Sequence, residues 1–367
     1  MRGGSSYRAV ARWYGCSLGT VAFWVHRARG KRLDRVEWMD RPCGRAVPVN
    51  RTPRTLERRI VGLRRWLARQ DPLGYVGPEA IRRRLLAAGG RTPSARTIAR
   101  VLQRAGLTPQ KRHRQRPPPP GWYLPAVAGG EAELDQLDVV EGLQLRGRGL
   151  VEVLTGISLW GKLALAAPIL TGWRIDSIVP VLAAHWQQWG APAYLQMDND
   201  TRFAGSSRAV RRLGRLIRFC LTAGVVPVFV PPRETGFQAA VESFNGLWQA
   251  KVWHRYRHRD LPQLITRNRA FLQAHRALRH QEPSARHRPP LRPASTVVFL
   301  RRTDAHGRIH LLGAQVAVST RWPHRLVRAE LDPRRQLLRA YALRRRQPTH
   351  QPLLLSRTFT LRPPATF

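Results

Sequence analysis

The sequence predicts a multidomain protein in which an all-α N-terminal region precedes a central α/β domain and a small β domain. Three observations predict this order. Apolar residues recur at helical spacing over roughly the first hundred residues, strand-type and helical runs alternate from about residue 131, and short alternating runs separated by turns fill the tail. The predicted boundaries are a helical unit and its linker over 1–50, a second helical unit over 51–110, a basic Pro-rich linker over 111–130, the α/β domain over 131–280, a second linker over 281–293 and the β domain over 294–367.

The high positive net charge is the most informative feature of the composition. The chain has 64 Lys and Arg against 22 Asp and Glu, a formal net charge of +42, and 43% hydrophobic residues. Such a chain can pack cores but repels itself unless it binds a polyanion, so nucleic acid is the expected partner. The three cysteines form no CxxC pair, which argues against a zinc site. No apolar run is long enough to cross a membrane, and we expect a cytoplasmic, nucleoid-associated protein.

The first helical unit has the pattern of a helix-turn-helix. Apolar residues at helical spacing run from Tyr7 to Tyr14, a Gly-containing turn follows, and a second helix begins with Ser17 as its expected N-cap. The N-terminal residues of the second helix in this motif contact DNA bases. We therefore predict that Ser17 and Thr20 contact DNA, although an ordinary helical hairpin would give the same pattern.

The second helical unit ends in a helix with a cationic face. Ser94 is its expected N-cap, and Gly106 is expected to end it. Arg96, Arg100 and Arg104 recur at every fourth position, which places them on one side of the helix. Both a solvated arginine face and a DNA-contacting face fit this pattern, and we predict DNA contact.

Three carboxylates stand out because acidic residues are scarce. Asp138 lies in the strand-type run Leu134-Asp-Gln-Leu-Asp-Val-Val140, and Asp198 directly follows the apolar run Ala193 to Met197. Glu242 lies in a helical run, at the edge of the apolar stripe that includes Val241. Carboxylates at such positions suit Mg²⁺ or Mn²⁺, and two such ions can promote phosphodiester chemistry. An exposed helix glutamate is the simpler reading of Glu242 alone.

The first acid has a competitor on the same strand. Asp135 and Asp138 are three residues apart, so period-two alternation places them on opposite faces of the strand. Asp138 precedes two valines and is the better embedded of the two, and we select it. Asn245, one turn after Glu242, is a candidate for orienting that glutamate or for contacting DNA.

Several of these motifs together resemble the integrase-type DDE transposases of bacterial insertion sequences, relatives of retroviral integrases. The resemblance is strongest in Leu195-Gln-Met-Asp-Asn199, in Gly224-Val-Val-Pro-Val-Phe-Val-Pro-Pro-Arg-Glu234 and in Val241-Glu-Ser-Phe-Asn-Gly-Leu-Trp248. The segment Leu137-Asp-Val-Val140 is similar to the family's first catalytic strand. Residues 5–107 resemble its paired helix-turn-helix units, and the tail its small C-terminal barrel.

The resemblance implies a ribonuclease-H-like catalytic core with Asp138, Asp198 and Glu242 as catalytic residues and ligands of two Mg²⁺ or Mn²⁺ ions. It also implies hydrolysis at transposon ends, strand transfer of the 3′-hydroxyls to target DNA, and a homo-oligomer that brings two ends together. Beside the acids, Asn199, Asn245 and Lys251 are predicted DNA contacts.

The chain departs from the family at two positions near the acids. Asp200 stands where the family usually has glycine, which predicts an extra negative charge beside the site, and Thr155 stands where relatives often carry another aspartate.

Two other functions fit parts of the same pattern. A catalytically inactive or domesticated DNA-binding protein derived from a transposase would need the helix-turn-helix units but no metal. A ribosome-like RNA binder fits the charge, but it rarely needs three placed carboxylates in an α/β domain. Metal-dependent cleavage separates the transposase from both alternatives.

Overall fold

The computed structural model describes residues 4–39, 51–89, 92–108, 121–145, 147, 149–159, 163–170, 172–206, 209–234, 236–278 and 294–362. The chain divides into two compact units, residues 1–56 and 57–367. Among the described residues, none of the helices combines the length and the apolar character that a membrane crossing requires.

The first unit is a pair of short helices. Helix α1 (Tyr7–Trp13) and helix α2 (Leu18–Ala28) are followed by a 3₁₀ turn over Leu33–Arg35. Ser17 caps α2 as expected, because its Oγ accepts a hydrogen bond from the backbone N–H of Thr20 at 3.1 Å.

The second unit begins with three helices: α3 (Arg54–Gln70), whose first residues still belong to the first unit, α4 (Pro78–Ala87) and α5 (Ala95–Arg104). Each helix buries apolar side chains, among them the fully buried Ile60, Ile81 and Ile98, and α4 packs against α5. The predicted linker over 111–130 lies partly outside the described residues. Its last part contains α6 (Pro125–Ala128), and the aromatic run before α6 is buried because it packs against the central sheet.

The central elements alternate as the sequence pattern predicts. They are β1 (Leu134–Leu145), β2 (Gly149–Ser158), β3 (Ala164–Ile169), α7 (Ile175–Trp189), β4 (Tyr194–Met197), α8 (Thr201–Ala204), α9 (Arg215–Thr222), β5 (Val226–Phe229), α10 (Ala239–Trp248) and α11 (Leu261–Leu278). A π-helical turn, Gln249–Trp253, continues directly from α10.

The tail adds six strands: β6 (Val297–Arg302), β7 (Arg308–Leu311), β8 (Ala314–Ala317), β9 (Leu326–Asp332), β10 (Leu337–Ala342) and β11 (Leu353–Thr358). All except β7 and β8 join the central sheet, whose order is β11-β10-β9-β6-β5-β4-β1-β2-β3. Strands β4, β5 and β6 follow β1 in parallel, whereas β1, β2 and β3 are antiparallel.

The tail was expected to form a β domain of its own beyond a linker. In the structure, β6 pairs with β5, so the tail extends the central sheet, while the predicted linker over 281–293 lies outside the described residues. The carboxyl ends of β4, β5 and β6 therefore meet at one edge of this sheet. We call it the site edge, because Asp198 directly follows β4 there.

Candidate functional site

Asp138 lies on β1, and Asp198 directly follows β4, the parallel neighbour of β1. Strands β1 and β4 pair Leu134 with Tyr194 and Gln136 with Gln196. Continuing this register by two residues brings Asp138 beside Asp198, on strands about 5 Å apart. Parallel neighbours in register present their side chains on the same face, so the two carboxylates are brought together by the sheet itself.

The pKa of Asp138 is strongly perturbed. This pKa is raised from the ordinary value of 3.8 to about 6, chiefly by burial and also by the negative charges of Asp198 and Glu242. Two hydrogen bonds oppose this rise: the backbone N–H of Val139 donates to Oδ1 at 2.9 Å, and Nδ2 of Asn245 donates to Oδ2 at 2.8 Å. The three predicted acids are thus within electrostatic reach of one another.

Helix α10 carries the third acid on its exposed side. Val241, Phe244 and Trp248 are buried beneath the helix, as their spacing predicts, and Glu242 is exposed in its first turn. Asn245 reaches from the same helix to Asp138 instead of to Glu242.

A buried glutamine fixes where α10 begins. Oε1 of Gln136 accepts hydrogen bonds from the backbone N–H groups of Ala240 at 3.1 Å and Val241 at 3.0 Å. Its Nε2 donates to Oε1 of Gln196 at 2.7 Å and to the carbonyl of Phe237 at 3.0 Å. These contacts satisfy helix N–H groups that have no intrahelical partner, and they set the position of the helix that bears Glu242.

The extra charge of Asp200 is neutralised by an arginine. Nε and Nη2 of Arg202 donate to the carboxylate of Asp200 at 2.9 and 2.6 Å, and these bonds lower the pKa of Asp200. Nη2 and Nη1 of the same guanidinium reach Glu141 at 2.5 Å and Glu152 at 3.3 Å. Asp198 lies beside this cluster, and burial raises its pKa, although its Oδ1 accepts from the backbone N–H of Asp200 at 3.0 Å.

Asn199, predicted to contact DNA, links three strands in the structure. Its Nδ2 donates to the carbonyl of Val230 at 2.7 Å, and its Oδ1 accepts from Nη2 of Arg301 at 2.8 Å. Arg301, at 8% exposure, also donates to the carbonyls of Val230, Leu300 and His310, and burial lowers its pKa to about 10. A guanidinium from the tail therefore holds the residue next to Asp198.

The side chains around Asp138 offer oxygen donors to a cation. Among the described residues, no group of three or more His, Cys, Asp and Glu side chains is already arranged to hold a metal ion. The chemistry fits a hard cation nonetheless, because the acids repel one another and offer oxygen ligands. Oδ1 of Asn245 is buried with no hydrogen-bond partner among the described residues, beside Asp138. This acceptor adds a neutral oxygen to the set.

The structure separates the two candidates for the first acid. Asp135 is fully buried and lies on the face of β1 opposite Asp138, away from α10. Thr155, which pairs with Asp138 across β1 and β2, is also fully buried, and its Oγ1 donates to the backbone carbonyl of Asp138 at 3.2 Å. Thr155 thus supports the strand and adds no charge.

The remaining predicted DNA contacts lie on or directly beside helical segments. Ser17 and Thr20 are exposed, and their hydroxyls are hydrogen bonded to each other at 2.8 Å. The predicted arginine face of α5, formed by Arg96, Arg100 and Arg104, is exposed. Arg104 forms an ion pair with Glu57. Lys251, on the π-helical turn, donates to the carbonyl of Gly74 at 2.6 Å, and burial lowers its pKa.

Sequence reasoning did not single out Gln136, Arg202 or Arg301. One signal for Gln136 was present: glutamine precedes aspartate by two residues in both strand runs, at Gln136 and at Gln196. Amides at equivalent positions of two apolar strands indicate a buried polar pair. Arg202 and Arg301 are two among many arginines, and no sequence pattern distinguishes them.

Comparison with known proteins gives little beyond this geometry. No protein-family model matches the chain, and the search of curated proteins gave no match. The fold is similar to a chain in the cryo-EM structure of the simian T-cell lymphotropic virus intasome in complex with PP2A regulatory subunit B56 gamma. The TM-score is 0.35 and the identity 14%, over 77% of this chain and 99% of that chain. This likeness is weak.

Proposed function

We propose that this chain is a metal-dependent DDE transposase that binds transposon-end DNA, cleaves it by hydrolysis and joins its 3′-hydroxyl ends to target DNA. The observation that carries the proposal is the convergence of Asp138, Asp198 and Glu242. The charges of the other two acids act on the pKa of Asp138, although the three come from separate parts of the chain. In a chain with a net charge of +42, such a convergence of acids needs a functional reason.

The topology supports a ribonuclease-H-like core around these acids. Three antiparallel strands, β1, β2 and β3, are continued by β4 and β5 in parallel with β1, and α10 packs across β1 and β2. One acid lies on β1, one at the end of β4 and one on α10, which is the distribution that the resemblance implies.

Two Mg²⁺ or Mn²⁺ ions would be held by Asp138, Asp198 and Glu242, with Oδ1 of Asn245 as a further oxygen. When bound, such ions activate the attacking oxygen and stabilise the leaving oxygen of a phosphodiester. The chain's own residues prepare the ligands: Val139 N–H and Asn245 hold the carboxylate of Asp138, and the N–H of Asp200 holds that of Asp198. Arg202 keeps the neighbouring acids paired.

The helical units would bind the DNA ends in this proposal. Ser17, Thr20 and the exposed face of α5 are the contacts we propose there, and Asn199, Asn245 and Lys251 those near the acids. A homo-oligomer would bring two ends together, and the protein would act at the nucleoid in the cytoplasm. The excess of arginine supports an electrostatic grip on duplex DNA.

The decisive experiment measures Mg²⁺- or Mn²⁺-dependent 3′-end cleavage and strand transfer on the DNA that flanks the coding sequence. Wild type is compared with Glu242→Gln, which keeps the shape but removes the charge, and with Glu79→Gln on α4 as a matched control. We expect activity in wild type and in the control, and loss of at least a hundredfold in Glu242→Gln with DNA binding retained. Equal inactivity of all three, with binding intact, would favour the inactive DNA-binding protein.

A further inference from the structure

The strands of the tail bring a group of arginines to the site edge. Strand β6 ends there, β9 begins there, and β10 ends there, because Arg302 pairs with Leu326 and Val327 pairs with Ala342. The exposed arginines at these strand ends form what we call the arginine shelf: Arg302, Arg325, Arg344, Arg345 and Arg346. The shelf lies along the same edge as Asp198, displaced across the sheet.

The shelf is held in place by specific contacts. The guanidinium groups of Arg325 and Arg344 lie 4.7 and 5.3 Å from the ring centroid of Trp322, a buried residue. Arg302 donates to the carbonyl of His324 at 2.6 Å. Stacked and hydrogen-bonded guanidiniums lose less side-chain entropy when they bind an anion than free ones do.

Positive charge on the shelf is in excess. Within the described residues, Glu234 is the carboxylate that pairs with the shelf, with Arg302 at 2.5 Å and Arg345 at 3.9 Å. One carboxylate therefore faces five guanidinium groups, and the shelf has capacity for several anionic groups. A regularly spaced polyanion suits such a row better than a single small anion.

The shelf is physically continuous with the catalytic acids. The guanidinium of Arg345 lies 5.7 Å from the ring centroid of Phe237, which directly precedes the N-terminus of α10. Arg301, next to Arg302 on β6, holds Asn199 beside Asp198. The contact of Arg345 with Phe237 connects the shelf to the start of the helix that bears Glu242, and the hydrogen bond from Arg301 to Asn199 connects β6 to the loop that bears Asp198.

We propose that the arginine shelf binds the phosphates of the duplex DNA whose scissile phosphodiester lies at Asp138, Asp198 and Glu242. This inference rests on the proposed function and assigns the surface that holds the substrate. Four strand spacings separate β4 from β10, or about 19 Å. At about 3.4 Å of helix rise per nucleotide, the shelf contacts phosphates roughly five or six nucleotides from the cleavage point.

The test compares two double variants that remove the same charge from opposite ends of the same strands. Arg344→Gln with Arg346→Gln alters the shelf, and Arg334→Gln with Arg335→Gln alters the exposed β9–β10 turn at the opposite edge. Binding to a 30-base-pair duplex is measured in EDTA over a range of NaCl concentrations, and thermal unfolding checks that each variant folds. Arg325→Gln with Arg346→Gln replaces the first pair if it does not fold.

The logarithm of the DNA association constant falls with log[NaCl], and each phosphate contact contributes about 0.9 to the steepness of that fall. We expect the shelf variant to make the slope shallower by about two. The control variant should lower it by less than half as much. Neutral methylphosphonates five or six nucleotides from the cleavage point should weaken binding by wild type and leave the shelf variant unaffected. Equal slopes for the two double variants would overturn the proposal, and a larger loss on single-stranded RNA would overturn duplex DNA as the ligand.

The two proposals can fail separately. If wild type and Glu242→Gln are equally inactive while the shelf variant alone loses slope, the transposase proposal fails and the shelf remains a DNA-binding surface. If wild type cleaves, Glu242→Gln does not, and the shelf variant binds like its control, the shelf assignment fails and the transposase proposal stands.

Discussion

Asn245 donates a hydrogen bond from Nδ2 to Oδ2 of Asp138 at 2.8 Å, and its own Oδ1 is buried without a partner among the described residues. Asn245 lies one helical turn after Glu242, so a single helix supplies one of the acids and the side chain that holds another. The sequence suggested that this asparagine orients Glu242 or contacts DNA. The hydrogen bond identifies Asp138 as its partner in the structure.

Replacing Asn245 should change the pH dependence of cleavage. In Asn245→Ala the carboxylate of Asp138 loses a hydrogen bond that lowers its pKa, so the pKa rises above about 6. We expect single-turnover cleavage at pH 7 to fall about tenfold, given a charged hydrogen bond of about 1.5–3 kcal/mol, and to recover at higher pH. A drop in DNA affinity with an unchanged pH profile would instead identify Asn245 as a DNA contact.

Removing the charge of Asp138 should stabilise the metal-free protein at neutral pH. The folded-state pKa of about 6 exceeds the ordinary 3.8. The contribution of Asp138 to the free energy of unfolding is therefore fully present below about pH 4 and is lost as the pH rises through 6. Discounted for partial exposure, Asp138→Asn should gain about 1–2 kcal/mol over wild type at pH 7.5 and nothing at pH 3.5. Urea unfolding at both pH values measures this difference.

Added Mg²⁺ should reverse that ranking. A cation held by the acids stabilises the folded wild type at pH 7.5 and has less effect on Asp138→Asn, which lacks one ligand. The same unfolding experiment with and without Mg²⁺ measures the shift. Identical shifts in the two proteins would contradict a role for Asp138 as a ligand.

Gln136 should be required for the position of α10. Gln136→Leu leaves the N–H groups of Ala240 and Val241 without their acceptor, which costs about 2–4 kcal/mol of the free energy of unfolding. Gln144→Leu, at an exposed position of the same strand, is the matched control and should cost less than 1 kcal/mol. Denaturant unfolding measures both, and equal effects would mean that the buried contacts of Gln136 do not anchor the helix.

Arg202 and Asp200 should be energetically coupled. Arg202→Gln leaves the carboxylates of Asp200 and Glu141 unpaired beside Asp198. It should therefore reduce the free energy of unfolding more in the wild-type background than in Asp200→Asn. A double-mutant cycle should give a coupling energy of about 1 kcal/mol, because the pair is only partly exposed. The Asp200 side chain also caps α8 by accepting a hydrogen bond from the backbone N–H of Arg202 at 2.7 Å, and additive effects would show that it acts mainly in that role.

The sequence supports the local features of this fold because local patterns determine them. The apolar stripe of Val241, Phe244 and Trp248 is buried as its spacing predicts, and Ser17 and Ser94 cap their helices. Asp138 was selected over Asp135 because two valines follow it, and the expectation that it is the better embedded is wrong: Asp135 is fully buried and Asp138 is only partly buried, since it faces the site. The assignment of the three acids as metal ligands stays a prediction.

Features that depend on tertiary contacts could not be predicted. The π-helical turn after α10 contacts the loop before α4, because Lys251 donates a hydrogen bond to the carbonyl of Gly74. Strand β11 is an exposed edge strand in which buried and exposed residues do not alternate. The sequence therefore gives no signal for its pairing with β10. The ion pairs of Arg202 and the backbone contacts of Arg301 join residues far apart in the chain, where periodicity carries no information.

The pairing of β6 with β5 means that the tail is not a detachable module. Removing it would turn an interior strand into an edge strand and would separate the stacked rings of Phe229 and Phe299, whose centroids are 5.3 Å apart. A fragment ending near residue 280 should therefore aggregate, and a tail grafted from another protein would fold here only if its first strand matched β5. Evolutionary exchange of this segment is accordingly constrained, and substitutions in the two strands must remain compatible with each other.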